Sequence, residues 1–519
     1  MGKYKILFRR VAGKQKKSML GIAFLIFVAS GCLFTSLLLS ASGTVSVTGE
    51  MERLGFGTFT AWINGDGTML AEEIKSLPDV GEVTKQALIF AGYEINGKHS
   101  DDEGQLLVPD GTAAYRFLSE KGEEVPAPAV KKGDIYISPA MKSSFGVGAG
   151  DKICFELSRA GKEKTKEFTV AGFFADGFMG SSMIDMKSFL ISAEDMEDCR
   201  EILSRTAEYD RLGEEGAMLH VFQKEDSGKS VSDFQKEVLA ETELPFHIKF
   251  AYGFSAIASY MLLLQNILTG FLSAFSGILL IVALLVIGHS MSSVIEQDRG
   301  EIASFKMIGL DGYKIRMVYL GMYGGTLFFG ILSGLLVSLL FADVLAEGMV
   351  SSTGMLIAIE VPVLSVVLVF TSLLAVFAVF LFLRTAEILT IAPMQVMQKT
   401  GGRRVRSCFH RKWLSLWLAL REVLTGKKRY VGIFLISLLL SVFLGIAGRM
   451  AGWVGRDGEG LMNAFSVAGH DLGVQPMNQT VPMDEIEHVI AWYSPIREPY
   501  ELAMPPVTVN GQAYTGNVL

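Results

Sequence analysis

Five apolar runs free of Asp, Glu, Lys and Arg constrain this chain more than any other feature. They are Ser18 to Ala41, Tyr260 to Gly288, Met317 to Phe341, Val361 to Leu383 and Tyr430 to Ala447. A helix needs roughly 20 consecutive apolar residues to cross about 30 Å of hydrocarbon. Only helices and closed barrels satisfy their own backbone polar groups there. The mean hydropathy of +0.37 is high for 519 residues because these runs raise it. The first run is longer than the apolar region of a usual signal peptide, and no compelling small-residue cleavage pattern follows it. It reads as a retained anchor, with a cleaved signal as the alternative.

Basic residues set the orientation, because cytoplasmic loops carry the excess of Lys and Arg. Lys3, Lys5, Arg9, Arg10, Lys14, Lys16 and Lys17 precede the first run. Arg299, Lys306, Lys314 and Arg316 lie between the second and third. Arg403, Arg404, Arg406, Arg411, Lys412, Arg421, Lys427, Lys428 and Arg429 precede the fifth. Alternation then places all three segments in the cytosol. The Asp343 to Glu360 segment has acidic residues and no Lys or Arg, as an outside loop should. The net charge of −7 averages an acidic exterior and a basic interior. It gives no reason to expect nucleic acid as a partner; the basic segments face anionic membrane lipid. Cys32 lies in the first run and Cys408 in the cytosol. Cys154 and Cys199 both lie outside, where a disulfide is chemically allowed and two separate thiols are the other option.

The expected architecture is an α-helical integral membrane protein with five spans, a cytosolic N-terminus and a large α+β extracytoplasmic domain between spans 1 and 2. The divisions are a cytosolic amphipathic helix at 1–17, spans at 18–41, 260–289, 317–341, 361–383 and 430–448, the outside domain at 45–255, a cytosolic helix at 290–314, a cytosolic linker at 384–429 and a second outside segment at 450–519. Part of the chain repeats. Ile6 to Val11 before the first span matches Leu418 to Val423 before the fifth, with Arg9 on Arg421, Val11 on Val423, Lys16 on Lys428 and Lys17 on Arg429 at one constant offset. Glu73-Ile74 falls on Glu485-Ile486, and the Asn96-Gly97 hairpin signal resembles Asn510-Gly511. The second unit stops soon after that hairpin, with too few strands to bury a core. The expectation is a fragment of a protein with roughly eight spans, unable to support transport alone.

Within the outside domain, Met69 to Leu77 reads as a helix ended by Pro78. Gln86 to Ile95, Asp134 to Ser138, Lys152 to Leu157 and Lys166 to Phe174 read as strands. Ala193 to Arg205 and Val231 to Ala240 read as helices. The glycine-rich stretch Phe145 to Gly150 lacks the Lys-Ser/Thr ending of a phosphate loop and leads into a strand, so it reads as a turn.

The segment between the second and third spans, Ser293 to Gly309, is the most informative. Ile295, Ile302 and Phe305 lie on one side of a helix, away from Glu296, Arg299 and Lys306, and Gly309 stops it. Physical chemistry leaves two readings open, an interfacial helix resting in lipid and a lever that docks in a partner's groove. The pattern Arg-x-Glu-Ile-Ala-x-x-Lys-x-Ile-Gly at Arg299 to Gly309 closely resembles the signature of FtsX-like ABC transporter permeases. Arg384 to Met397, with Pro393, resembles that family's closing segment. Asp134 to Ser138, Gly150 to Lys152 and Phe168 to Gly172 look like its MacB-type core domain. Asp298 stands where many relatives carry a basic residue.

That resemblance implies a separate cytosolic ABC ATPase dimer bound to this helix, with the spans relaying its motion to the outside domains. Arg299, Glu301, Ile302, Phe305, Lys306 and Gly309 would then form the ATPase contact, with Ile302 and Phe305 as anchors. It also implies a multi-pass protein of the bacterial plasma membrane, paired with a second permease half or an extracytoplasmic partner. Gly321 with Gly325 and Gly330 with Gly334 are small-xxx-small pairs suited to close helix packing. No span carries an ionisable residue except His289 at a boundary, which argues against an ion-coupled carrier. The seven histidines are scattered, and no His-Glu-x-x-His, Walker motif, Gly-x-Ser-x-Gly elbow or metal-ligand spacing occurs. His470-Asp471 reads as a turn. No catalytic residue, cofactor or metal is therefore expected. The functions in view are export or extraction of an amphipathic cargo (a lipid, lipoprotein, peptide or drug) and a signalling scaffold that regulates a cell-wall hydrolase or senses antimicrobial peptides.

Overall fold

The structure, a computed structural model, describes residues 2–109, 115–119, 123–159, 165–182, 184, 186–392, 427–454, 483–492, 506–509 and 512–515. The chain divides into two compact units, treated separately below. The expected linker beyond Ala392, Cys408, His470-Asp471 and most of the second outside segment lie outside the described residues.

The sheet unit is α+β, and among the described residues its larger sheet has eleven strands. Four of them, β1 (Phe59–Asn64), β2 (Val80–Ile95), β10 (Glu214–Gln223) and β11 (Ile248–Gly253), form an antiparallel sheet in the order β11-β1-β10-β2. Helix α2 (Thr68–Lys75) links β1 to β2, and α5 (Val231–Glu241) lies between β10 and β11. This is the split β-α-β arrangement of ferredoxin-like domains. Its core joins Phe59, Ala61 and Ile63 of β1 to Leu70 and Ile74 of α2 and Phe234 and Val238 of α5. The remaining strands are inserted between β2 and β10.

That insertion closes on itself. β2 runs on to pair with both β3 (Lys98–Leu107) and β7 (Lys152–Glu156). β3 pairs with β9 (Lys187–Leu190), β9 with β6 (Asp134–Ile137), β6 with β8 (Thr165–Phe174), and β8 returns to β7. The ring of six strands holds an aromatic cluster. The Phe155 ring centroid lies 4.9 Å from that of Phe189, and the Tyr93 centroid lies 5.0 Å from that of Phe189. Gly104 on β3 makes room for it, since a Cβ there would stand 2.8 Å from Phe189, 3.0 Å from Phe155 and 3.1 Å from Tyr93. A buried polar chain crosses the unit, with Trp62 Nε1 donating to Gln105 Oε1 (2.9 Å) and Gln105 Nε2 to Ser188 Oγ (2.7 Å).

Local chemistry explains the element ends. Asn96 (φ 48°) and Gly97 (φ 79°) turn β2 into β3 with both residues left-handed, as Asn-Gly favours. Ser192 caps α4 (Ala193–Arg205) by accepting from Asp195 N, and Ser230 caps α5 through Asp233 N. The stretch after Phe145 is a turn, with Gly146 and Gly150 at positive φ ahead of β7. β8 alternates as its sequence implies, with Phe168 and Val170 buried and Thr169 and Ala171 exposed. Cys154 on β7 and Cys199 on α4 are separate thiols, and burial pushes Cys199 up to about 12. Far along the chain, Pro506–Val509 and Gln512–Thr515 pair antiparallel, as the repeated hairpin signal implies.

The second unit is helical. Helix α1 (Gly2–Arg53) contributes its first part, joined by α8 (Leu263–Gln297), α10 (Gly312–Thr353) and α11 (Val363–Thr385). Among the described residues, four helices are long and apolar enough to cross a membrane. The fifth apolar run lies in helix Lys427–Val454, whose described apolar stretch, Ser437–Arg449, is shorter. Phe443 of that helix stacks on Phe275 with centroids 4.7 Å apart. Ser36 Oγ donates to the Thr269 carbonyl at 2.7 Å, a contact that lets α1 and α8 approach closely.

Four helix boundaries differ from expectation. No break separates residues 1–17 from the first span; α1 is continuous. It also runs past Ala41, because Val47 and Met51, one helical turn apart, are buried in the sheet unit's core. Helix α10 continues past Phe341 to Thr353, where a loop was expected, with Ala346, Met349 and Val350 buried on one face. The apolar count misses both extensions because their polar faces dilute it. The expected second span starts later, at Leu263, behind a separate helix α7 (Phe254–Met261).

Gly104→Ala is expected to destabilise the sheet unit by about 1–3 kcal/mol through overpacking. Gly92→Ala, where an added Cβ meets nothing within 4 Å, should be near neutral. Thermal unfolding of the intact chain in detergent compares them. His220 gives a second expectation. Its Nδ1 lies 2.8 Å from Thr60 Oγ1 between the Phe56 and Phe178 rings, and burial lowers its pKa to about 4. The unfolded state then binds more protons between about pH 6.5 and 4, so stability is full above that window and falls by roughly 3 kcal/mol across it. His220→Gln should flatten that part of the midpoint-versus-pH curve.

Candidate functional site: the α8–α10 connection

The chain leaves α8 at Gln297, forms the short helix α9 (Arg299–Met307) and re-enters a long helix at Gly312. Asp298 is the joint. Its amide bonds the Val294 carbonyl (2.9 Å) and its own carbonyl receives the Ile302 amide (2.8 Å), so the backbone bends with both groups satisfied. Its side chain is buried and accepts a hydrogen bond from Tyr319 Oη at 2.9 Å. A basic residue at 298 would put a donor where Tyr319 already donates, which accounts for the acid at this position.

The far end of α9 closes with a glycine. Gly309 takes φ 89°, the Gly309 amide bonds the Lys306 carbonyl, and the Leu310 amide reaches back to Phe305 at 3.0 Å. This is the Schellman arrangement, in which a left-handed residue satisfies the last helical carbonyls. Asp311 then starts α10, its carbonyl accepting from Lys314 and Ile315 and its Oδ1 from the Tyr313 amide.

Two cations tie this connection to the end of α11 and the short helix α12 (Glu387–Thr390). Lys306 Nζ donates to the carbonyls of Ile388 (2.8 Å), Leu389 (3.2 Å) and Ile391 (2.9 Å). Positive charge at a helix C-terminus is favourable, and these carbonyls lack intrahelical partners. Burial pushes the Lys306 ammonium below the ordinary lysine value. Arg316, itself buried, donates from Nε to Thr385 Oγ1 (3.0 Å) and from Nη2 to the Phe382 carbonyl, and its guanidinium lies 3.8 Å from the Phe382 ring centroid. Sequence reading used Arg316 only for orientation. Its spacing from α9 carried no signal of this role.

The expected contact residues therefore separate into two groups. Arg299 and Gly309 are exposed. Ile302 is 2% exposed and packs with Ile295, Ile315 and Tyr319 in the helical unit's own core, and Phe305 lies half-buried against the same cluster. Glu301 is half-buried, and Lys306 is engaged with its carbonyls. Ile302 and Phe305 thus serve as internal anchors. The apolar side chains that face outward are Met307, Ile308 and Tyr313, with Ile308 75% exposed. The amphipathic stripe was read correctly, but its apolar side is covered by the protein's own helices. Of the glycine pairs, Gly330 and Gly334 pack against α1, where an added Cβ would stand 3.2 Å from the Ala23 carbonyl and collide with Ser30 Oγ. Gly321 and Gly325 meet nothing within 4 Å.

Among the described residues, no group of three or more His, Cys, Asp or Glu side chains is placed to hold a metal ion. The connection is a braced bend with an exposed apolar tip, suited to contact and the transfer of motion. Long apolar helices joined by such a bend, together with a sheet-rich domain, fit a membrane protein. Residues 273–393 match the family model described as FtsX-like permease C-terminal. That family supplies non-catalytic membrane subunits of ABC systems.

No curated protein matches the chain. Among solved structures it is similar to the periplasmic region of MacB from Actinobacillus actinomycetemcomitans, at 12% identity over 42% of this chain and 96% of that one, with a TM-score of 0.21. A putative lipoprotein from Bacillus anthracis is similar at 8% identity over 37% and 95% of the two chains, with a TM-score of 0.19.

Lys306→Met leaves three helix-end carbonyls without their donor. It is expected to lower stability by about 1–3 kcal/mol, while Lys306→Arg should recover part of the loss. Thermal midpoints of the purified chain in detergent read both.

Proposed function

We propose that this chain is the permease subunit of an ABC-type system, relaying ATP-driven motion from a cytosolic ATPase dimer to the sheet domain. The observation that carries the reading is the α8–α10 connection. It lies inside the family-matched segment, is braced internally by Asp298, Lys306 and Arg316, and presents Met307, Ile308 and Tyr313 outward. A groove-binding segment needs exposed apolar anchors on a stiff support, and this one has both. Arg299 and Lys314 at its rim set the register of docking.

The finer architecture belongs to the same proposal. The chain crosses a bacterial plasma membrane five times, with its N-terminus and the α8–α10 connection in the cytosol and the sheet domain outside. The domain divisions set out from the sequence belong to it, apart from the helix boundaries at which the structure departs from them. The cargo in this reading is the amphipath that the family resemblance implies, a lipid, lipoprotein, peptide or drug.

Co-purification with the ATPase encoded beside this gene tests the reading. Ile308→Glu combined with Tyr313→Ala should reduce ATPase recovery at least about tenfold, as loss of two central anchors does. Phe305→Ala should act mainly on stability. A wild-type chain that never retains the ATPase would sink the proposal.

A further inference from the structure

We propose that the loop Asp176 to Gly180 is the clutch through which displacement of α1 and α10 reaches the sheet domain. This rests on the permease reading above and names the place where its relay engages. Every contact described next lies within the sheet unit.

The loop is gripped on two sides by helix ends. On one side is the last turn of α1, where a Cβ at Gly177 would stand 3.0 Å from Leu54 Cδ1 and 3.2 Å from Glu50 Cγ. On the other is the residue just past α10. Gly354 takes φ 72°, and its carbonyl receives the Asp176 amide at 3.3 Å. A Cβ on Gly354 would collide with the Gly180 carbonyl, carbonyl carbon and Cα together. That contact is backbone against backbone, so no side chain can rotate to relieve it. Gly354 is required twice over, by its left-handed φ and by this close approach.

The loop is stiff. Asp176 Oδ1 accepts from the amides of Phe178 (3.0 Å) and Met179 (2.9 Å), and Ser138 Oγ donates to the Gly180 carbonyl at 3.0 Å. Gly180 is itself held close to the Asp176 carbonyl. The loop is also rooted in the core. Phe178 meets Phe56 edge-on with centroids 5.0 Å apart, and Met355, the residue after Gly354, is 2% exposed in the same cluster. Thr353 Oγ1 bridges the carbonyls of Met349 and Met355, each at 3.0 Å, locking the helix end to the segment that enters the core.

A stiff loop with helix ends on both sides and an aromatic root in the core moves as one body with whichever helix moves. Close-packed interiors transmit such displacements without absorbing them. Loops that merely connect elements are more mobile and lack this density of buried contacts.

Hydrogen exchange tests the inference on the intact chain in lipid nanodiscs with the neighbouring ATPase, with and without ATP. Wild type should retain the ATPase and show an ATP-dependent change in exchange of peptides covering 173–191. Gly354→Ala should retain the ATPase yet lose at least about five-fold of that change, whereas Gly348→Ala, whose added Cβ meets nothing within 4 Å, should keep it. Met355→Ala, which keeps the Gly354 backbone contact but removes the side chain that roots the segment in the core, serves if Gly354→Ala does not fold, with the same loss expected. An ATP response intact in Gly354→Ala, or in Met355→Ala where that variant stands in, overturns the clutch and leaves the permease reading standing. So does a wild type that binds the ATPase without any response at 173–191. Failure of wild type to bind the ATPase overturns the permease reading, and the clutch falls with it.

Discussion

Every backbone amide in hydrocarbon must find its partner within its own helix, and that requirement decides where this chain is permitted to bend. Each bend that follows or precedes a long apolar helix carries its own compensation. Asp298 satisfies both of its backbone groups across the α8–α9 joint, and Gly309 closes α9 by returning two amides to the preceding turn. Lys306 supplies donors to the carbonyls at the end of α12. Gly354 ends α10 in the left-handed region and keeps its amide bonded to Val350. The positions that look like punctuation in the sequence are thus where the polar backbone is made safe.

Much of the fold was legible because its signals are local. The apolar runs, the Asn96-Gly97 hairpin and the β8 alternation all act over a few residues, and each element formed near its expected place. The closed six-strand ring was not legible. It depends on β2 pairing with two different partners along its far half and on Gly104 opposite three rings, and no short window of sequence holds that information. The helix extensions beyond Ala41 and Phe341 were missed for a related reason, since their apolar faces are narrow, and Val47 and Met51 bury in a core built from distant parts of the chain.

The α8–α10 connection shows the same division. Its amphipathic stripe and its glycine stop were readable, and so was the family they resemble. Which side of the stripe faces outward was not. Ile302 and Phe305 are the apolar residues the sequence assigns to a partner, yet Ile302 is buried with Ile315 and Tyr319 of the next helix and Phe305 packs against the same cluster. Met307 and Ile308 close the helix and stand outside it. A periodic pattern reveals that a face is apolar; it says nothing about whether the chain itself or another molecule covers that face.

The closed ring has a consequence for how this domain survives before it is complete. A strand with unpaired backbone groups invites pairing with a neighbouring chain. Within the described sheet, the six ring strands present no lateral edge once closed, and the edge at β5 (Glu124–Val125) is two residues long. The other edge, β11, has six residues and runs directly into α7. Only one border of the sheet is therefore long enough to recruit a stray strand. It is also the last strand of this sheet to be synthesised, so β1, which pairs with β10 and β11, waits unpaired until both have emerged.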